Sequence, residues 1–288
     1  MAEYGNSRFK GWQRVLLIII PFVIVLMLFQ LLGLLLAGIA PEDASANLST
    51  LQNIILTACS LAGTVLLVWV FRKYIDRESF TDIGLYTSKR GFDIILGILT
   101  GLILVGLGFV ILLGLKSIEI RKVEYDVPEI LWNIVLFVLV SFNEEILMRG
   151  YVLNNLMLSM NKYVALLVSS IAFAALHLAN PHFSLITFVT ILLSGLLLGI
   201  SYIFTRNLWF PIALHFSWNF FQGPVFGFNV SGHDSYSLIG QYRPKDDLLN
   251  GGLFGFEGSL LAVGFLLLAT GIIWKIYHYS YKKSLPSI

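Results

Sequence analysis

"ILWNIVLFVLVSFNEEILMRG", residues 130–150, sets a run of uncharged residues ahead of two adjacent glutamates and an arginine. Such a run reads as a membrane helix, because a ~30 Å hydrocarbon core takes roughly 17 to 25 helical residues to cross. The charges are then the anomaly, since each one at the bilayer centre costs roughly 2.5 to 3.5 kcal/mol on insertion scales. Helical geometry divides them. Glu145 and Arg149 stand four apart with the acid first, the favoured order for an ion pair on one face. Glu144 is turned about 100° away and needs a neighbour from another helix.

The rest of the chain is of the same kind. Of 288 residues 57% are hydrophobic and 12% charged, against about 25% charged in a soluble domain. A net charge of +2 gives no nucleic-acid footprint, and the basic residues cluster beside apolar runs, as juxtamembrane anchors do. Cys59 is the single cysteine, which excludes an intrachain disulfide and a cysteine-based metal site. Apolar stretches at 14–38, 51–71, 92–114, 130–152, 163–179, 183–204, 208–226 and 253–277 predict an all-α fold, a polytopic integral membrane helical bundle of about eight transmembrane helices. The first stretch is too long for the core of a cleaved signal peptide and reads as a retained helix. With the N-terminus inside, fourteen of the nineteen lysines and arginines fall on the inner side. The positive-inside rule then puts both termini in the cytoplasm. The one long connection, 227–252, reads as an outer loop rich in turn residues.

Polar side chains recur within the spans. "FAALH" puts Phe173 and His177 four apart, and "HFSWN" does the same for His215 and Asn219. Taken singly, each histidine reads as a satisfied core residue, and Glu145 with Arg149 as a structural ion pair. Taken together, Glu144, His177, His215 and Asn219 on three spans read as one inward-facing polar pocket, because a helix bundle in lipid needs none of them.

The three segments resemble one known family. "EEILMR" is similar to an EExxxR motif, "FAALH" to FxxxH and "HFSWN" to HxxxN, in the order found in the CPBP intramembrane proteases. That family includes the type II CAAX prenyl endopeptidases and bacterial relatives associated with bacteriocin processing or self-immunity. The resemblance divides the chain into three helices without motifs (1–129), a core of four helices (130–226), and an outer loop with a final helix (227–288). It implies an endopeptidase acting on a membrane-associated or lipidated peptide without a covalent intermediate. Glu144 would be the base that activates water, His177 would hold that water, and His215 and Asn219 would bond the oxyanion. Glu145, Arg149 and Phe173 would shape the pocket. The family also implies a cytoplasmic opening.

No cofactor is expected. Zinc on Glu144, His177 and His215 is the alternative, since these are ligand types of hydrolytic zinc sites, although HExxH is absent. The expected partners are the lipid bilayer and a peptide, with no nucleic acid. The rival functions are a catalytically silent immunity or scaffold protein and a proton-coupled transporter, in which intramembrane Glu, His and Arg form relays.

Overall fold

Leucines, isoleucines and phenylalanines cover the outside of the helices, with Ile20, Leu35, Phe92, Val110 and Leu268 all more than half exposed. A surface this apolar is a lipid-facing one. The computed structural model describes residues 8–40, 42 and 48–284. Eight helices make up the bundle among them: α1 (Gly11–Leu36), α2 (Thr50–Asp76), α3 (Gly91–Gly114), α4 (Val127–Leu156), α5 (Lys162–Leu176), α6 (Leu185–Thr205), α7 (Trp209–Phe220, continuing in wider π turns over Phe221–Val225) and α8 (Leu260–Ser284). The protein is a helical integral membrane bundle.

Six helices (α1–α4, α6 and α8) are long and apolar enough to cross a bilayer. The other two of the eight expected spans are shorter, with 15 residues in α5 and 12 in the regular part of α7. Caps set several boundaries. The Ser49 hydroxyl accepts from Gln52 N at the start of α2, and the Asp126 carboxylate accepts from Glu129 N at the start of α4. Asn161 and Ser184 cap α5 and α6 in the same way. The fourth span therefore begins at 127 and the last at 260, where the apolar stretches suggest 130 and 253.

Bonds at the two ends fix how the helices lie against one another. The Thr50 hydroxyl donates to Glu129 at 2.7 Å and the Asn155 amide to Asp76 at 3.3 Å, and both pairs are 79 residues apart. Helices α2 and α4 thus run parallel in constant register. Helix α1 runs antiparallel to α2, tied by Gln30 to Ser60 at 2.5 Å and by Arg14 to Asp76 at 3.6 Å. The Asp76 end is a lock of buried polar groups, in which Arg72 reaches Asp76 at 3.2 Å and Glu78 at 2.6 Å. Helices α3 and α7 approach closely because Gly97 and Gly101 face α7. A Cβ on Gly101 would lie 2.7 Å from the Trp218 backbone nitrogen, and one on Gly97 2.8 Å from that of Leu214. Small residues at such contacts let backbones pack in lipid.

One feature is not helical. Residues Glu119–Val123 (β1) pair antiparallel with Ile239–Tyr242 (β2), joining the α3–α4 connector to the α7–α8 connector. Neither strand shows a buried alternating face, β1 being exposed throughout. Their pairing across the fold left no periodic trace in the sequence. The α7–α8 connector also folds inward onto the α5–α6 turn, where Asn180 donates to Ser231 O and Gly232 packs on Pro181.

Candidate functional site

The ion pair expected from spacing is present and buried. Arg149 Nη1 lies 2.8 Å from Glu145 Oε1, with side-chain exposures of 1% and 0%. The turns from Ile146 to Leu153 are widened to π geometry. Arg149 Nη2 also donates to Gly195 O at 3.2 Å, and the guanidinium sits 4.4 Å from the centre of the Phe173 ring. Gly195 also lets α5 and α6 pack closely, because a Cβ there would lie 2.9 Å from Ser170 on α5.

Glu144 faces elsewhere. Its side chain is 30% exposed and lines a cavity of about 1320 Å³, whereas Glu145 is sealed. His177 Nε2 and His215 Nε2 stand 3.9 and 3.8 Å from Glu144 Oε2. Those distances exceed a direct hydrogen bond. Glu144 Oε2 is buried without a hydrogen-bond partner, a costly arrangement of the kind that marks working sites.

Both rings are oriented from behind. His177 Nδ1 lies 2.8 Å from Phe173 O, and since a carbonyl only accepts, Nδ1 carries the proton. His215 Nδ1 lies 2.8 Å from Glu145 Oε1, which fixes the same tautomer against a carboxylate. Each ring then turns its Nε2 toward Glu144. Asn219, four residues after His215, is buried and lines the same cavity. The structure thus brings Glu144, His177, His215 and Asn219 to one cavity, with Phe173 in its wall and Glu145 and Arg149 packed behind.

A difference in depth stood against this convergence. His177 lies about 21 Å and His215 about 11 Å into their spans when each is counted from the termini side at 1.5 Å per residue. The structure closes the gap by sinking the start of α7. Asn207 and Leu208 are buried beneath the α2–α3 connector, through Leu208 N to Gly84 O, Asn207 Nδ2 to Tyr86 O and Tyr202 Oη to Ile83 O, each at 2.9 Å. Helix α5 stops at His177, which caps its C-terminus.

Two features of the site were not read from the sequence. The bond from His215 to Glu145 joins residues 70 apart, and Glu145 already had a partner in Arg149. The cavity wall also includes Thr50, Asn53, Thr57, Ser60 and Thr64 of α2 and Gln30 of α1, from the part of the chain without motifs. Their signal was the alternating three-and-four spacing along "TLQNIILTACSLAGT".

The cavity is blind. Its lining on α4 ends at Met148, and beyond this α4 is packed in the core. Its mouth is framed by Leu48, Thr50 and the α7–α8 connector at Asn229–Tyr236. These lie at the helix ends opposite the termini. The sequence reading expects cytoplasmic termini and a cytoplasmic opening, whereas these lining residues lie toward the side opposite the termini. His233, in that connector, is held below the usual histidine range by burial.

Residues 126–221, which span α4 to α7 and all seven candidate side chains, match the family described as type II CAAX prenyl endopeptidase Rce1-like. No curated protein and no solved structure matches the chain.

Proposed function

We propose, on the premise that the segment 126–221 belongs to the CAAX prenyl endopeptidase family, that this membrane protein is an endopeptidase in which Glu144 activates water. The observation that carries this reading is the convergence of two tautomer-fixed Nε2 atoms on the exposed glutamate while its neighbour is neutralised by Arg149. A water held between Glu144 and His177 gives its proton to the carboxylate, and its oxygen attacks the scissile carbonyl. Asn219 Nδ2 donates to the developing oxyanion, a contribution of about 3 to 4 kcal/mol for one such donor in a measured hydrolase. His215, with Glu145 balancing its charge when protonated, donates from Nε2 to the same oxygen. As the C–N bond breaks, Glu144 returns its proton to the leaving amine, so no acyl-enzyme forms.

Positive charge on the termini side places the termini in the cytoplasm, and the cavity then opens to the opposite side of the membrane. The substrate is a peptide reaching that face, as in peptide maturation. A CAAX-type substrate would have to arrive by the same mouth. The blind cavity favours a reaction site over a transport path, and the convergence of both rings on Glu144 favours it over a silent scaffold.

Zinc is a second reading, favoured by the two Nε2 atoms that face Glu144, each ring backed by an acceptor as metal-bound histidines are. Among the described residues, however, no three His, Cys, Asp or Glu side chains form a group able to hold a metal. Cleavage by purified protein is expected to survive prolonged chelation. Activity lost to the chelator and restored by zinc would overturn the metal-free scheme.

A further inference from the structure

We propose that the polar stripe on α2 binds the backbone of an extended peptide and leads it from the mouth of the cavity to Glu144. This rests on the endopeptidase reading of the site. Thr50, Asn53, Thr57, Ser60 and Thr64 all line the cavity. At about 100° per residue they occupy an arc about 80° wide, one continuous face of the helix. The constant register of 79 between α2 and α4 puts Thr64 level with Asn143, next to Glu144, and Thr50 level with Glu129 near the mouth.

The stripe therefore starts at the reacting centre and climbs outward. From Thr64 to Thr50 it rises about 21 Å at 1.5 Å per residue. That is about six residues of extended peptide at 3.3 Å each. The facing wall on α4 supplies unfilled acceptors in the same cavity: Asn133 Oδ1 and Asn143 Oδ1 are buried with no hydrogen-bond partner. Buried acceptors of this kind are costly unless a donor reaches them, and peptide N–H groups are such donors. Hydroxyls on one side and carboxamides on the other suit a main chain, which offers donors and acceptors in alternation.

Charge narrows the class further. Among the described residues, the cavity lining contains Glu144, Asp234 and Glu257 and no lysine or arginine. Burial keeps His233 neutral at neutral pH, so it adds no cation to the mouth. An acidic side chain or a free terminal carboxylate within those six positions meets like charge from Asp234 and Glu257. The expected substrate segment is extended and uncharged or basic.

The test uses the full chain in lipid nanodiscs and an internally quenched dodecapeptide of Ala, Ser, Leu and Thr, blocked at both ends. Cleavage gives kcat and KM on the wild type, and fluorescence anisotropy gives Kd on Glu144→Gln. Replacing Thr57 and Thr64 together by valine should raise KM and Kd about tenfold, the loss of two ordinary hydrogen bonds, with kcat within about twofold. The same change at Thr100, whose hydroxyl bonds Leu96 O on α3, should alter neither. Methylating the amides that meet the stripe should weaken binding to the wild type and have less effect on the double variant, the non-additivity that marks a direct contact. An aspartate within the six positions should lower kcat/KM. Unchanged KM and Kd in the double variant, or no binding of the peptide at all, would overturn the stripe as a binding track. Binding that depends on the stripe without any cleavage would uphold the track and remove the endopeptidase reading.

Discussion

Glu144→Gln is expected to lower the rate of peptide cleavage by about 10²- to 10⁴-fold, the contribution of a positioned general base. Glutamine keeps the size of the side chain and its place among His177 and His215, and it removes the group that takes the proton. Binding of uncleaved peptide should stay within a few-fold. The stability of the variant sets this residue apart from a structural glutamate. Glu144 Oε2 is buried with no hydrogen bond, and Arg149 is paired with Glu145 instead. Neutralising Glu144 therefore relieves a strained position, and the thermal unfolding midpoint should stay the same or rise, as where function has been kept at the expense of stability. A variant that cleaves like the wild type would remove Glu144 from the mechanism.

The second large effect is on folding. Arg149→Met removes the charge that neutralises Glu145, leaving a fully buried carboxylate. Breaking one side of a buried pair costs about 3 to 5 kcal/mol, so the variant should unfold far below the wild type in a detergent thermal melt. Replacing both partners, Glu145→Leu with Arg149→Met, removes the stranded charge and should recover much of that loss. Cleavage should not return with it, because Glu145 Oε1 is also the acceptor that fixes His215. Recovery of activity along with stability would reduce Glu145 to a purely structural role.

The sequence made the polar centre legible because membrane helices tolerate charge so poorly. Once Glu145 and Arg149 were paired by their spacing, Glu144 was left over, and His177, His215 and Asn219 were the intramembrane groups available to meet it. The helical class followed from apolar length. The stripe on α2 was written in the spacing of its residues, but threonine, serine and asparagine are cheap enough in lipid that their presence raises no alarm. The bond from His215 to Glu145 depends on where α7 begins. That depends in turn on the buried Asn207 and Leu208 under the α2–α3 connector, a contact across more than 100 residues. Pairing of Glu119–Val123 with Ile239–Tyr242 is long-range in the same way. The part of the cavity wall at Asn229–Tyr236 left no motif either, because it comes from the α7–α8 connector folding onto the turn at Pro181.

The central claim is that Glu144 delivers water directly to the carbonyl. Cleavage in H₂¹⁸O containing hydroxylamine tests it most directly, with the products read by mass spectrometry after one turnover. Direct attack predicts a new C-terminal carboxylate carrying one ¹⁸O atom, at the same yield with or without hydroxylamine. A C-terminal hydroxamate that grows with hydroxylamine concentration would reveal an acyl-enzyme and contradict the account.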